Sequence, residues 1–215
     1  MKSRYLHIIF LTFATLFLST CKEPVSPNEE PISALSRNLP ASEIMKLEGI
    51  TSIHYIEYDS VVVNGQPDSS FVANFEYFID TSRMKMIQYY LGTPNWNTTV
   101  FNLNNDSVWT YYSGQLTYSR LPNLQLAFNQ NIQAYLGSWL RDPIKFLRTE
   151  YIGDKLCNVF TDSTGLHEWI WIKYRLPIQR RSEGSYDNIH QISVTQKRDI
   201  EINEQFSNSI FEPPK

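Results

Sequence analysis

Residues 98–139 read TTVFNLNNDSVWTYYSGQLTYSRLPNLQLAFNQNIQAYLGSW, and the fold turns on a change of period inside this stretch. Up to Arg120 apolar and aromatic residues come in short runs, Thr98 to Leu103, Val108 to Tyr112 and Leu116 to Arg120, broken by Asn104-Asn105-Asp106 and Ser113-Gly114. Runs of this composition bounded by turn formers predict antiparallel strands joined by hairpins. After Pro122 the spacing becomes three and four. Leu124, Phe128, Ile132, Tyr135, Leu136 and Trp139 fall on one face of an amphipathic helix. A β meander therefore runs into a helix whose apolar stripe needs a partner.

The same pattern extends in both directions. Upstream, Ile50 to Val63 is followed by the turn Asn64-Gly65-Gln66-Pro67-Asp68 and by Phe71 to Asp80, where Phe71, Ala73, Phe75, Tyr77 and Ile79 share a face; Met84 to Leu91 comes next. Downstream, Asp142-Pro143 predicts the cap and first position of a second short helix ending near Arg148. Strands then resume at Tyr151-Ile152, Leu156 to Thr161, His167 to Tyr174, Ile178 to Arg181 and Ile189 to Ile202, for a sheet of roughly ten or eleven strands. A short helix around Ile32 to Arg37 is limited by Pro40. In His167 to Tyr174, Trp169 and Trp171 point one way while Ile170, Ile172 and Tyr174 point the other, so either the sheet packs on both sides or one face is covered by the helix Leu124 to Trp139 and the cover can lift. The expected fold is mainly β (α+β): a large curled antiparallel sheet, a half-open β-barrel, with the amphipathic helix over its concave face.

The first residues carry an address. Lys2 and Arg4 precede the apolar run Ile8 to Leu18, and Leu18-Ser19-Thr20-Cys21 closes it. That is the order of a secretory signal, and the run is about half the roughly 20 residues a membrane-spanning helix needs. The four residues ending at Cys21 resemble the lipobox of bacterial lipoproteins, although Thr20 stands where that motif has Gly, Ala or Ser. The resemblance implies cleavage of residues 1–20, lipidation of Cys21 and anchoring to a membrane, with Lys22 favouring the outer one, on its periplasmic face or at the surface. Residues 21–42, with Pro24, Pro27, Glu29, Glu30 and Pro31, form a tether, and 43–215 the folded domain. Loss of Lys2 and Arg4 would make the net charge −5 instead of −3, which argues against a nucleic-acid partner. Cys157 then has no cysteine to pair with and is expected to be a small buried hydrophobe.

Catalytic patterns are missing from the sequence. His54, His167 and His190 are far apart, and His167-Glu168 opens a strand, where neighbours face opposite sides. No GxSxG or phosphate-cradling loop occurs. Neither enzyme activity nor a cofactor nor a metal is expected. The basic pairs Arg180-Arg181 and Lys197-Arg198 are expected on a solvated strand face, with lipid head groups as the other reading.

Three short signatures in order resemble the outer-membrane lipoprotein carrier and receptor group, the LolA/LolB-like proteins. They are Asn105-Asp106-Ser107-Val108-Trp109-Thr110-Tyr111, Trp169-Ile170-Trp171-Ile172 with Leu176-Pro177-Ile178, and Ile200 to Asn203 with Phe206, Phe211 and Pro213. The resemblance spans roughly residues 43 to 213 and implies an apolar hollow under the helix that accepts acyl chains of lipids or lipoproteins. Each CH₂ removed from water is worth about 0.8 kcal/mol, so such a hollow binds without catalytic groups. The expected lining is Phe71, Phe75, Tyr77, Met84, Met86, Phe101, Trp109, Tyr111, Trp169 and Trp171 from the sheet, with Phe128, Ile132, Tyr135 and Trp139 from the helix. Arg83, in Thr81-Ser82-Arg83-Met84-Lys85, is the candidate for holding the lid. A docking or sensor module for another envelope protein is the alternative.

Overall fold

The computed structural model describes residues 39–68, 74–81, 85–91, 97–102, 106–112 and 114–212, all in the unit spanning 32–215. Cys21, the leader and most of the tether, the expected helix at Ile32 to Arg37, Phe71, Arg83 and Met84 lie outside the described residues.

A short helix α1 (Ala41–Leu47) precedes β1 (Ser52–Val63), a two-residue β2 (Gln66–Pro67), β3 (Asn74–Asp80), β4 (Lys85–Leu91), β5 (Asn97–Asn102), β6 (Ser107–Tyr112) and β7 (Gln115–Arg120). The amphipathic helix α2 (Leu124–Leu136) follows, then β8 (Lys145–Ile152), β9 (Lys155–Thr161), β10 (His167–Trp171), β11 (Leu176–Tyr186), β12 (Ile189–Ile202) and a 3-10 turn (Asn208–Phe211). The strands form one twelve-stranded sheet in the order β7-β6-β5-β4-β3-β1-β12-β11-β10-β9-β8, with β2 on β1. From β1 the chain meanders out to the edge at β7. The segment containing α2 then takes it to the other edge at β8, and it meanders back until β12 pairs with β1. Because β7 and β8 do not pair, the sheet is not closed into a barrel.

Two hairpins are fixed by paired left-handed residues, Asn64-Gly65 (φ 49 and 78) and Asp187-Asn188 (φ 49 and 65). Each links directly opposed strand residues, Val63 with Gln66 and Tyr186 with Ile189. Such a turn matches strand twist, and residues tolerating positive φ are needed at both positions.

Register decides which aromatics meet the helix. Phe101 pairs with Val108 and Val100 with Trp109, so adjacent residues point to opposite faces. One face carries Ile53, Tyr55, Tyr77, Ile79, Phe101 and Val108 under Leu124, Phe128, Ile132 and Leu136 of α2, with Ala41 and Met45 of α1 alongside. On the other face Val100 and Trp109 pack with Phe211, flanked by Phe78, Tyr111, Phe206 and Ile210. The strands are thus apolar on both sides because a helix covers one face and the C-terminal segment the other. No described helix is long and apolar enough to cross a membrane.

Three expected boundaries change. Residues 142 to 148 do not form a helix: Lys145–Ile152 is the edge strand β8. Its tie to β9 outweighs the Asp-Pro start signal, since Phe146 opposes Phe160 and the Thr149 hydroxyl bonds Asn158 Oδ1 at 2.9 Å. The helix α2 stops at Leu136, three residues before Trp139. At Gly137 a Cβ would come within 2.4 Å of the Gln133 carbonyl oxygen. The strand from His167 stops at Trp171, while β11 runs on to Tyr186.

Candidate functional site

The interface between α2 and the sheet is the site the sequence pointed to. Leu124, Phe128, Ile132 and Leu136 recur at steps of four and are each at most 2% exposed. Phe128 meets Phe101 edge to face at 6.3 Å between ring centroids, and Tyr135 leans on Tyr77 at 4.8 Å. Tyr77 stacks in turn on Tyr55 at 4.8 Å. Packing of this kind is non-directional, so a helix held by it alone can be exchanged for other apolar matter at modest cost. Gln133 adds one polar tie, its Oε1 accepting the Ala41 N–H at 2.6 Å and joining α2 to α1.

Where α2 ends, the packing becomes polar. Glu57, Glu168, Arg180 and Lys197 are buried, Glu168 completely. Arg180 Nε donates to Glu168 Oε1 at 2.9 Å, and its Nη2 donates to the Gly137 carbonyl. Glu168 also accepts from the Ser138 hydroxyl and, at 3.2 Å, from the Trp139 N–H. One carboxylate thereby fixes both the guanidinium and the chain leaving the helix. Lys197 Nζ lies 3.4 Å from Glu57 Oε2 and 5.5 Å from the Tyr55 ring centroid. The Tyr55 hydroxyl is buried beside these charges with no hydrogen-bond partner among the described residues, and burial pushes its pKa well up.

Two buried groups give opposite pH signatures. Burial, aided by Arg180, pulls Lys197 down from 10.5 to about 8; burial pushes the Cys157 thiol up from 9.0 to about 12. Between about 8 and 10.5 the unfolded chain holds the Lys197 proton more tightly, so stability rises with pH there. From about 9 upward the unfolded chain gives up the Cys157 proton more readily, so stability falls. The terms oppose each other in wild type. Urea unfolding of Cys157→Ala is therefore expected to show stability rising from pH 8 to 10, and Lys197→Met to show it falling across the upper half of that range. Parallel pH curves for both variants would exclude these assignments.

The structure brings Phe75, Tyr77, Phe101, Phe128, Ile132 and Tyr135 together on the helix side. Met86 is opposite Phe101 and Ile79 in the strand register. Trp109 and Tyr111 are instead on the opposite face with the C-terminal segment. Trp169 and Trp171 belong to a separate cluster with Cys157, Val159 and Ile178, and the Trp169 indole N–H donates to Glu150. Trp139 lies beyond the helix and is 54% exposed, stacked on Arg180. The basic pairs need correction, because only one residue of each is on the solvent side: Arg180 and Lys197 are buried, whereas Arg181 and Arg198 are not. Sequence reasoning missed the buried quartet. Alternation held the clue on β1, since Ile53, Tyr55 and Glu57 are spaced two apart. Among the described residues, no group of three or more His, Cys, Asp or Glu is placed to hold a metal ion.

No protein-family model matches the chain, and no curated protein sequence does. Solved structures do. An uncharacterized conserved protein from Thermus thermophilus is similar over 81% of this chain and 93% of its own, with TM-score 0.49 and 8% identity. The LolA superfamily protein NE2245 from Nitrosomonas europaea is similar over 81% and 98%, with TM-score 0.36 and 12% identity. MucB in the Pseudomonas aeruginosa MucA/MucB complex structure is similar over 82% and 62%, with TM-score 0.42 and 10% identity. Identities and TM-scores this low assign the chain neither a family nor a function.

Proposed function

We propose that the chain is a non-enzymatic lipoprotein of the bacterial envelope, anchored through Cys21 in the outer membrane. It holds acyl chains of lipids or lipoproteins between α2 and the sheet, as a carrier or receptor. The observation that carries this reading is the interface itself. A helix linking opposite edges of an open sheet is seated on Tyr77, Phe101 and Val108 by aliphatic and aromatic side chains, which is the surface an acyl chain would occupy once the helix lifts. The unpartnered Tyr55 hydroxyl supports it, because native interiors seldom leave such a group unpaired. A ligand ester or head group reaching that end of the helix–sheet interface would satisfy it. Phe71, Met84 and Met86 are further candidates for the lining in this reading, and Arg83 is the candidate for holding the lid. Trp109, Tyr111, Trp169 and Trp171 would reach ligand only if the sheet rearranged.

The test is native mass spectrometry of the chain from Lys22 onward, expressed without its anchor, with the solvent-extracted lipids identified in parallel. Stoichiometric phospholipid or acylated-peptide adducts are expected, lost in Phe75→Glu with the circular dichroism of wild type. A second reading, docking of an envelope protein without lipid, has one observation in its favour: edge strand β7 leaves Leu116 and Tyr118 exposed on one face, opposite Tyr111 and Trp109 of β6. A folded, adduct-free protein that refuses an added acyl probe would replace the first reading with the second.

A further inference from the structure

Beyond the end of α2, outside the helix–sheet core, lies an open cleft of about 630 Å³. Its floor is a two-by-two patch on neighbouring strands. Arg180 pairs with Thr195 and Ser182 with Ser193 across the β11–β12 ladder, and residues two apart on a strand share a face. Its wall is Trp139, 54% exposed and yet fixed at three points. The backbone N–H donates to Glu168, the indole N–H donates to the Ala134 carbonyl at 3.1 Å, and the Arg180 guanidinium stacks 4.1 Å from the ring centroid. With its one polar atom already used, the indole presents carbon surface to the cleft in a set orientation. A tryptophan serving only to pack would be largely buried.

The floor keeps unused hydrogen-bonding capacity. Among the described residues the Ser182 hydroxyl makes no hydrogen bond, and Ser193 accepts from Gln191 Nε2 and keeps its proton. Thr195 donates to Asp59 Oδ1 at 2.7 Å and keeps its lone pairs. Arg180 is 5% exposed and commits Nε and Nη2 to Glu168 and Gly137, so Nη1 is left without a described partner. The buried charges here are already compensated. Arg180 is neutralised by Glu168, and the Asp162 carboxylate collects N–H groups from Arg141, Thr164 and Leu166. A flat apolar wall, a grid of donors and acceptors, and compensated buried charges, with the exposed Arg141 as the remaining cation of the lining, describe the complement of a polyhydroxylated ring without a charge of its own.

We infer that this cleft binds a neutral saccharide, its ring against Trp139 and its hydroxyls on Ser182, Ser193, Thr195 and Arg180 Nη1. The site stands apart from the acyl-binding reading and does not need it.

The test uses the full chain, extracted in a sugar-free zwitterionic detergent and ¹⁵N-labelled at its tryptophans. It is titrated separately with chitotriose, maltotriose, glucose 1-phosphate and hexanoate. At least one neutral trisaccharide is expected to move the Trp139 indole resonance saturably, with a Kd of about 1 mM or tighter. By calorimetry Trp139→Ala should weaken that binding about tenfold or more, and Ser182→Ala about threefold or more, with unchanged circular dichroism. Three results would overturn the inference: no saturable shift with either trisaccharide up to about 20 mM, well above that expected Kd; equal binding by folded Trp139→Ala and Ser182→Ala; or occupancy by glucose 1-phosphate or hexanoate alone.

Discussion

Glu168→Ala is expected to lower the unfolding free energy by about 3–5 kcal/mol, read from urea denaturation at neutral pH. The carboxylate is fully buried and serves Arg180 Nε, the Ser138 hydroxyl and the Trp139 N–H at once. Its removal leaves a guanidinium that is itself 5% exposed, with the Gly137 carbonyl and the Trp139 ring as its remaining described partners and no described counter-charge paired with it. An unpaired buried charge costs far more than the pair contributes. Arg180→Ala on its own should therefore also be costly, and the double variant should lose less than the sum of the two, by about 1–3 kcal/mol. A cost below about 1 kcal/mol for Glu168→Ala, the range of an exposed pair, would mean that water reaches the quartet and that the end of α2 is already loose.

Phe128→Ala is the companion experiment on the apolar part of the interface. The ring is 2% exposed against Phe101, and its truncation should cost about 3–5 kcal/mol by lost transfer and an unfilled cavity. In a chain of this size that lowers Tm by roughly 6–20 °C. The space left is apolar and remains dry unless something apolar enters. Decanoate is therefore expected to return part of the lost Tm, by an amount that grows with the logarithm of its concentration above its Kd. A folded variant whose Tm ignores decanoate would show that the gap under α2 does not admit an acyl chain, and the proposed function would lose its site.

Alternation and its break at Pro122 made the meander, a helix beginning at Leu124 and the turn at Asn64 legible without coordinates. What alternation lacks is a sign. It separates Phe101 from Trp109 only after register shows that Trp109 opposes Val100, so residues of both faces were placed in one lining. The segment after Asp142 failed for a related reason: an Asp-Pro pair is a local helix signal, whereas the pairing of Phe146 with Phe160 is decided by the neighbouring strand. The buried quartet was hidden because Arg180 and Lys197 each stand beside a basic neighbour that does face solvent. Composition treats the two members of each pair alike, and only the inward parity of their strands tells them apart.

The strands at the centre of the sheet are the first and the last, β1 and β12, and contacts between them such as His54 with Glu201 join residues 147 apart in the chain. No early segment can complete the middle of this sheet by itself. Loop-closure entropy must be met before that ladder returns anything, which places the protein among slow, high-contact-order folders. Until the final strand has been made, the sheet stays in two unjoined halves, each a meander of neighbouring hairpins with an open edge where its partner belongs.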